Sequence, residues 1–115
     1  MKKLAVYSED RKEWLMKDVN MTESFIERFF GLIGKSDVGA EALVITPCNS
    51  IHMFFMKMPI DAVFLDGKGC VIAVNKNMKP WTISRIYKRG RSVMEMPSGS
   101  ADRIGLSCGE VLSFH

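Results

Sequence analysis

Apolar and polar positions change their spacing several times along the chain, and each change marks a different element. Lys3 to Tyr7 and Glu13 to Met16 are short β-compatible runs separated by the polar Ser8-Glu9-Asp10-Arg11, which predicts a hairpin-like opening. After Thr22 the period lengthens: Phe25, Ile26, Phe29, Phe30 and Ile33 recur at steps of three and four, as on one face of a helix. Thr22 as cap, Glu23 in the first turn and Gly34 as stop predict a helix of about three turns. From Ala42 onward strands dominate, over Leu43 to Thr46, Ser50 to Met56, Ala62 to Leu65, Cys70 to Val74, Ser92 to Met96 and Val111 to Phe114. Asp66-Gly67-Lys68-Gly69 reads as a tight turn, because glycine supplies the positive φ such turns demand. Pro97 to Gly105 reads as a short helix capped by Ser100 and stopped at Gly105, and a turn at Gly109-Glu110 feeds the last strand.

One N-terminal helix, one short C-terminal helix and seven or eight strands predict a mainly β, β-rich α+β fold, a small partly closed barrel or two packed sheets. A doubly wound α/β fold is disfavoured, since the crossover helices are missing. The expectation is one domain over residues 1–115, a length that buries roughly two thirds of its unfolded surface. An apolar fraction of 47% and a charged fraction of 25% are those of an ordinary globular chain.

The basic start Met1-Lys2-Lys3 is followed by an apolar run too short for an export signal, so a cytoplasmic location is expected. Lys57, Asp61 and Asp66 interrupt the best candidate for a membrane span. Cys48, Cys70 and Cys108 are odd in number and widely spaced, which fits reduced thiols rather than a disulfide framework or zinc knuckle. The net charge of +3 is modest but uneven: Lys76, Lys79, Arg85, Lys88, Arg89 and Arg91 share one stretch without an acid.

Pro47-Cys48-Asn49-Ser50-Ile51-His52, then Phe55-Met56 and Pro59-Ile60-Asp61-Ala62-Val63-Phe64-Leu65-Asp66, closely resemble the prokaryotic family known as domain of unknown function 192. Gly31-Leu32-Ile33-Gly34, Lys79-Pro80-Trp81, Met96-Pro97-Ser98-Gly99-Ser100, Gly105-Leu106 and Gly109-Glu110 extend the resemblance over about residues 12–112. Met53 stands where that family commonly has threonine, and Glu110 where aspartate is usual. The resemblance implies a mostly β, barrel-like domain, occurring alone and in exported forms, and carries no established activity, ligand or catalytic residue.

Candidate chemistry concentrates between Pro47 and Asp61, where Asn49, His52 and Asp61 are embedded among apolar residues. A buried polar group without a partner costs about 1 to 3 kcal/mol, so these three either satisfy one another's surroundings or wall a pocket. With Ser50 to Met56 as a strand and Lys57 to Ile60 as its hairpin loop, Met56 opposes Asp61 and His52 opposes Leu65. His52 and Asp61 are then about 13 Å apart, too far for a catalytic hydrogen bond. Each has a plain structural reading: His52 bonded to a backbone carbonyl, and Asp61 accepting backbone N–H groups at a turn. Cys48 with His52 as nucleophile and base is disfavoured by the same spacing, and no third ligand completes a metal site, so neither metal nor cofactor is expected.

Met53, Met56 and Met58 beside Phe54 and Phe55 read as core packing or as an adaptable binding wall. The leading expectation is a module that binds a small molecule or peptide through Asn49, His52, Met56, Asp61 and Trp81. The competing reading is an enzyme using His52 or Asp61 in acid–base chemistry, without a catalytic constellation of good geometry to support it. A third is an anionic partner held by Lys76 to Arg91, where Trp81 and Tyr87 offer stacking; nucleic acid is disfavoured there because no strong motif accompanies the charge.

Overall fold

The opening pattern does form a hairpin: in the computed structural model, which describes residues 1–115, β1 (Lys2–Ser8) pairs antiparallel with β2 (Glu13–Met21). The predicted helix follows, but only as α1 (Phe25–Phe30), shorter than three turns. Ser24, not Thr22, caps it, its hydroxyl accepting from the Glu27 N–H at 3.1 Å while the Glu27 carboxylate accepts from the Glu23 N–H at 2.8 Å. Thr22, just past β2, instead donates its N–H to the Val44 carbonyl. Gly31, at φ 46°, ends the helix early and turns Leu32 into the core.

Five further strands, β3 (Ala42–Ile45), β4 (Ile60–Leu65), β5 (Val71–Met78), β6 (Ser92–Pro97) and β7 (Leu112–Phe114), complete one seven-stranded sheet in the order β5-β4-β6-β3-β2-β1-β7. Every pairing is antiparallel except β2 with β3. The sheet curls into a half-barrel rather than splitting into two. Its edges meet at one end, where Cys70 bridges Val111, Val71 donates to the Glu110 carbonyl at 2.8 Å and Leu112 donates to the Gly69 carbonyl at 2.9 Å. Only glycine fits there: a Cβ on Gly69, at φ +83°, would stand 2.1 Å from the Leu112 carbonyl oxygen.

Side chains alternate across the pleat, and both faces are covered. Val44, Met94 and Val63, neighbours in register, point into the curl with Val6, Leu112 and Leu106. Leu43, Ala62, Phe64 and Val93 point the other way, under Leu32, Met53 and Met56. Burial on both faces explains why β3 is an unbroken apolar run and why β4 is apolar apart from Asp61.

The run Ser50 to Met56, expected as a strand paired with β4, is instead a covering loop. Met53 donates to the Thr82 carbonyl, Ser84 to that of Ile51 and Tyr87 to that of Asn49, so the loop zips to residues 82–87. A turn at Phe54-Phe55, with Phe55 at φ 64°, breaks the run. Loop and strand look alike in sequence here because Met53 and Met56 drop onto the sheet while the intervening phenylalanines stand out. The second short element, α2 (Ser100–Ile104), forms and stops at Gly105 as expected, but its first residues are not capped by Ser100. The Asp61 carboxylate holds them, accepting from the Gly99 N–H at 3.0 Å and the Ala101 N–H at 2.8 Å. No helix is long and apolar enough to cross a membrane.

Candidate functional site

Along β6, Val93 and Glu95 face the side of the sheet that the covering loop protects, while Met94 and Met96 face the curl. Glu95 therefore sits between its register partners Leu43 and Ala62, both fully apolar, and is 5% exposed. Its carboxylate has no hydrogen bond and no ion pair, and its oxygens keep a small opening onto the cleft, since no fully sealed side-chain polar atom of the chain lacks a partner. Burial alone pushes its carboxyl up to about 7, since nothing in reach stabilises the charge.

The space in front of Glu95 is a cleft of about 110 Å³. Arg28 to Ile33 wall one side, Ile45 and Cys48 form its base, and the covering loop brings Ser50, Ile51, His52 and Met56 to the other side. The Cys48 thiol donates to the Ser50 carbonyl at 3.0 Å; burial pushes it up, and the neighbouring Glu95 adds to that. His52 is exposed at the mouth, where its Nδ1 accepts from the Phe54 N–H at 3.3 Å, which assigns the proton of the neutral ring to Nε2. Its ring lies 4.9 Å from that of Phe54. Arg28 lies over the Phe25 ring at 5.5 Å instead of reaching the carboxylate.

Of the residues singled out from sequence, the fold brings His52 and Met56 together in this cleft. Asp61 is elsewhere, 1% exposed on β4, with its carboxylate engaged by Gly99, Ala101 and, at 2.8 Å, the Asn77 N–H. Asn49 lies outside the cleft lining, and its carbonyl serves the zipper through Tyr87. Trp81 stands beside the mouth, 5.9 Å from Phe54 and 4.9 Å from Phe55. Cys48 and His52 do share the cleft, because the covering loop turns where a strand would have held them apart. Glu95, Arg28 and Ile33 escaped sequence reasoning. The available signal for Glu95 was a single acid inside Val93-Met94-Glu95-Met96, a charge in an otherwise apolar central strand. No three His, Cys, Asp or Glu side chains converge as a metal site.

The basic stretch borders a second, wider groove of about 450 Å³ between β5 and residues 79–87. Lys76 there is paired with Asp102 at 2.6 Å, whereas Lys79 and Arg85 have no acidic partner.

Comparison with known proteins gives a consistent picture. The DUF192 family model, described as Uncharacterized ACR, matches residues 6–114. The chain is 35% identical over 101 residues to a UPF0127 protein of Pyrococcus horikoshii, covering 84% of this chain and 87% of that one. It is 32% identical over 101 residues to a UPF0127 protein of Thermococcus gammatolerans, again over 84% of this chain, but spans only 65% of that relative's length. Among solved structures, a Sinorhizobium meliloti protein described as a candidate transcription regulator superimposes with a TM-score of 0.77 at 20% identity, covering 97% of this chain and 92% of that one. A Novosphingobium aromaticivorans protein of unknown function gives 0.74 at 18% identity, covering 96% and 83%. At these identities the likeness is one of fold.

Proposed function

We propose that the chain, which belongs to the DUF192 family, is a binding module that takes a small molecule or a peptide segment into the Glu95 cleft. The observation that carries this reading is the unpartnered Glu95 carboxylate at 5% exposure. A buried charge without a partner destabilises the fold that holds it, and an apolar residue would fill the same place at no such cost. An incoming N–H or ammonium donor would relieve it, and the surrounding Ile45, Ile51 and Met56 suit an apolar body of side-chain size. His52, exposed at the mouth with Nε2 directed away from its own Phe54 contact, contributes a second polar group.

Thermal melts of the wild type against amines, amides and short peptides test the reading, because a ligand of the native state raises its stability. The expected result is a stabilising shift that Glu95→Gln reduces at least tenfold in apparent affinity and His52→Ala weakens. An equal shift in wild type and Glu95→Gln would place the ligand elsewhere. A second reading, acid–base catalysis, is favoured by one observation: a carboxyl raised to about 7 shares the cleft with His52. It requires product formation from a bound ligand that stops in Glu95→Gln while binding persists. Ligands recovered unchanged would remove it.

A further inference from the structure

Helix α1 buries none of its six residues. Phe25, Phe29 and Phe30 stack on one another, with ring centroids 6.1 and 5.3 Å apart, and are between 55% and 68% exposed. Across the cleft, whose lining includes Phe29, Phe30 and His52, the ring of His52 leads to Phe54, Phe54 to Trp81 and Trp81 to Phe55. The two aromatic clusters thus form one belt around the cleft mouth, far more apolar than a face that meets only water needs to be. Phe55 and Trp81 stand at turn tips in the left-handed backbone region, at φ 64° and 68°, a conformation bulky side chains adopt rarely. Both rings are nevertheless turned outward, 64% and 60% exposed, so the strain is spent on presentation rather than on packing.

The charge around the two loops of this belt has one sign. No acid lies between Glu41 and Asp61, or between Asp66 and Glu95, the spans that contain the two loops. Lys57, Lys79 and Arg85 are exposed there without an ion-pair partner. The acids at the start of α1, Glu23 and Glu27, are occupied by the Met1 ammonium at 3.5 and 2.7 Å.

We propose that this aromatic belt docks the protein on an anionic lipid bilayer, with Phe25, Phe29, Phe55 and Trp81 in the headgroup region and Lys57, Lys79 and Arg85 against lipid phosphates. Aromatic side chains at the interface plus flanking basic residues are the two signals that peripheral attachment requires. A single-stranded nucleic acid would want free ring faces for its bases, whereas the α1 rings pack on each other, and the exposed Ile26 on α1 and Ile83, bridged to His52, are aliphatic. Apolar groups on separate turn tips match a fluid interface better than the fitted surface of a folded partner. The docking does not depend on the cleft having a ligand.

Trp14 on β2 packs with Tyr7 on β1 and with His115 just past β7, at 5.1 and 5.4 Å, so Trp14→Phe leaves Trp81 as the sole tryptophan reporter. Its emission is measured against vesicles of phosphatidylcholine alone, of phosphatidylcholine with phosphatidylglycerol, and with brominated lipid. The expected result is quenching of Trp81 by brominated anionic vesicles, at least tenfold tighter than with neutral ones. Binding should weaken at least tenfold in Phe25→Ser/Phe29→Ser and in Lys79→Glu/Arg85→Glu, variants that melt like their parent because these side chains are exposed. Absence of quenching, or quenching that both double variants retain, overturns the proposal. So does burial of Trp81 in a self-dimer, an oligonucleotide or an acidic peptide when vesicles fail to bind.

Discussion

Replacing Glu95 by Gln keeps the shape of the side chain and removes its charge. In the folded protein the Glu95 carboxyl is raised from 4.5 to about 7 by burial. The folded chain therefore binds this proton more tightly than the unfolded chain, and stability falls as pH rises between about 4.5 and 7. Below that window Glu95 is neutral in both states and contributes no penalty; above it the penalty is complete and constant. A difference of about 2.5 pKa units corresponds to about 3 kcal/mol. Glu95→Gln, neutral throughout, is expected to match the wild type near pH 4.5 and to exceed it by about 3 kcal/mol at pH 8, or about 10 °C in Tm for a domain of this size. Urea denaturation of both proteins from pH 4.5 to 8 measures this directly. Asp66 and Glu27, held low by backbone and N-terminal hydrogen bonds respectively, titrate alike in both and drop out of the difference. Parallel stability curves would show that the carboxylate is solvated or paired, and the argument for a ligand anchor at Glu95 would fall with it.

Asp61→Ala should cost about 3 to 5 kcal/mol, since three backbone N–H groups lose a buried charged acceptor, and should accelerate amide exchange at Asn77, Gly99 and Ala101 while sparing ligand binding in the cleft. A loss below about 1 kcal/mol would refute the anchoring role. Gly69→Ala should destabilise by more than about 2 kcal/mol through both positive φ and the clash with Leu112, read by urea denaturation; wild-type stability would show that the two sheet edges are not joined there. Arg11→Ala should cost about 3 kcal/mol, because Glu110, 8% exposed, loses nitrogen contacts at 2.7 and 2.9 Å. An Arg11→Ala/Glu110→Gln cycle showing additive losses would contradict that pairing.

Much of the fold was legible because strand signals are local. The β-compatible run of β1, the apolar run of β3, the mostly apolar β4, the Asp66 to Gly69 turn and the stop at Gly105 all lie within short windows and all formed. The failures share a cause. Periodicity from Phe25 to Ile33 predicts a helix of about three turns ending at Gly34, yet the helix is cut short at Gly31 and its aromatics meet solvent. Ser50 to Met56 has a strand's composition, but its backbone pairs with residues 82–87 instead of joining the sheet. Asp61 and Glu95 show the same limit at the candidate site: one buried carboxylate is bonded three times and the other not at all, and composition around them gave no warning of the difference.

The amino-acid sequence by itself determined a mainly β fold with two helices, most of the strand positions, the acid-free basic stretch and the family. These follow from backbone sterics and side-chain period, which neighbouring residues set between them. Only the tertiary structure decided that one sheet curls until its edges meet, that Glu95 faces a cleft without a partner, and that His52 and Cys48 join it there. Desolvation and hydrogen-bond satisfaction depend on which distant segments arrive around a side chain, and that is settled only when the loops fold back over the sheet.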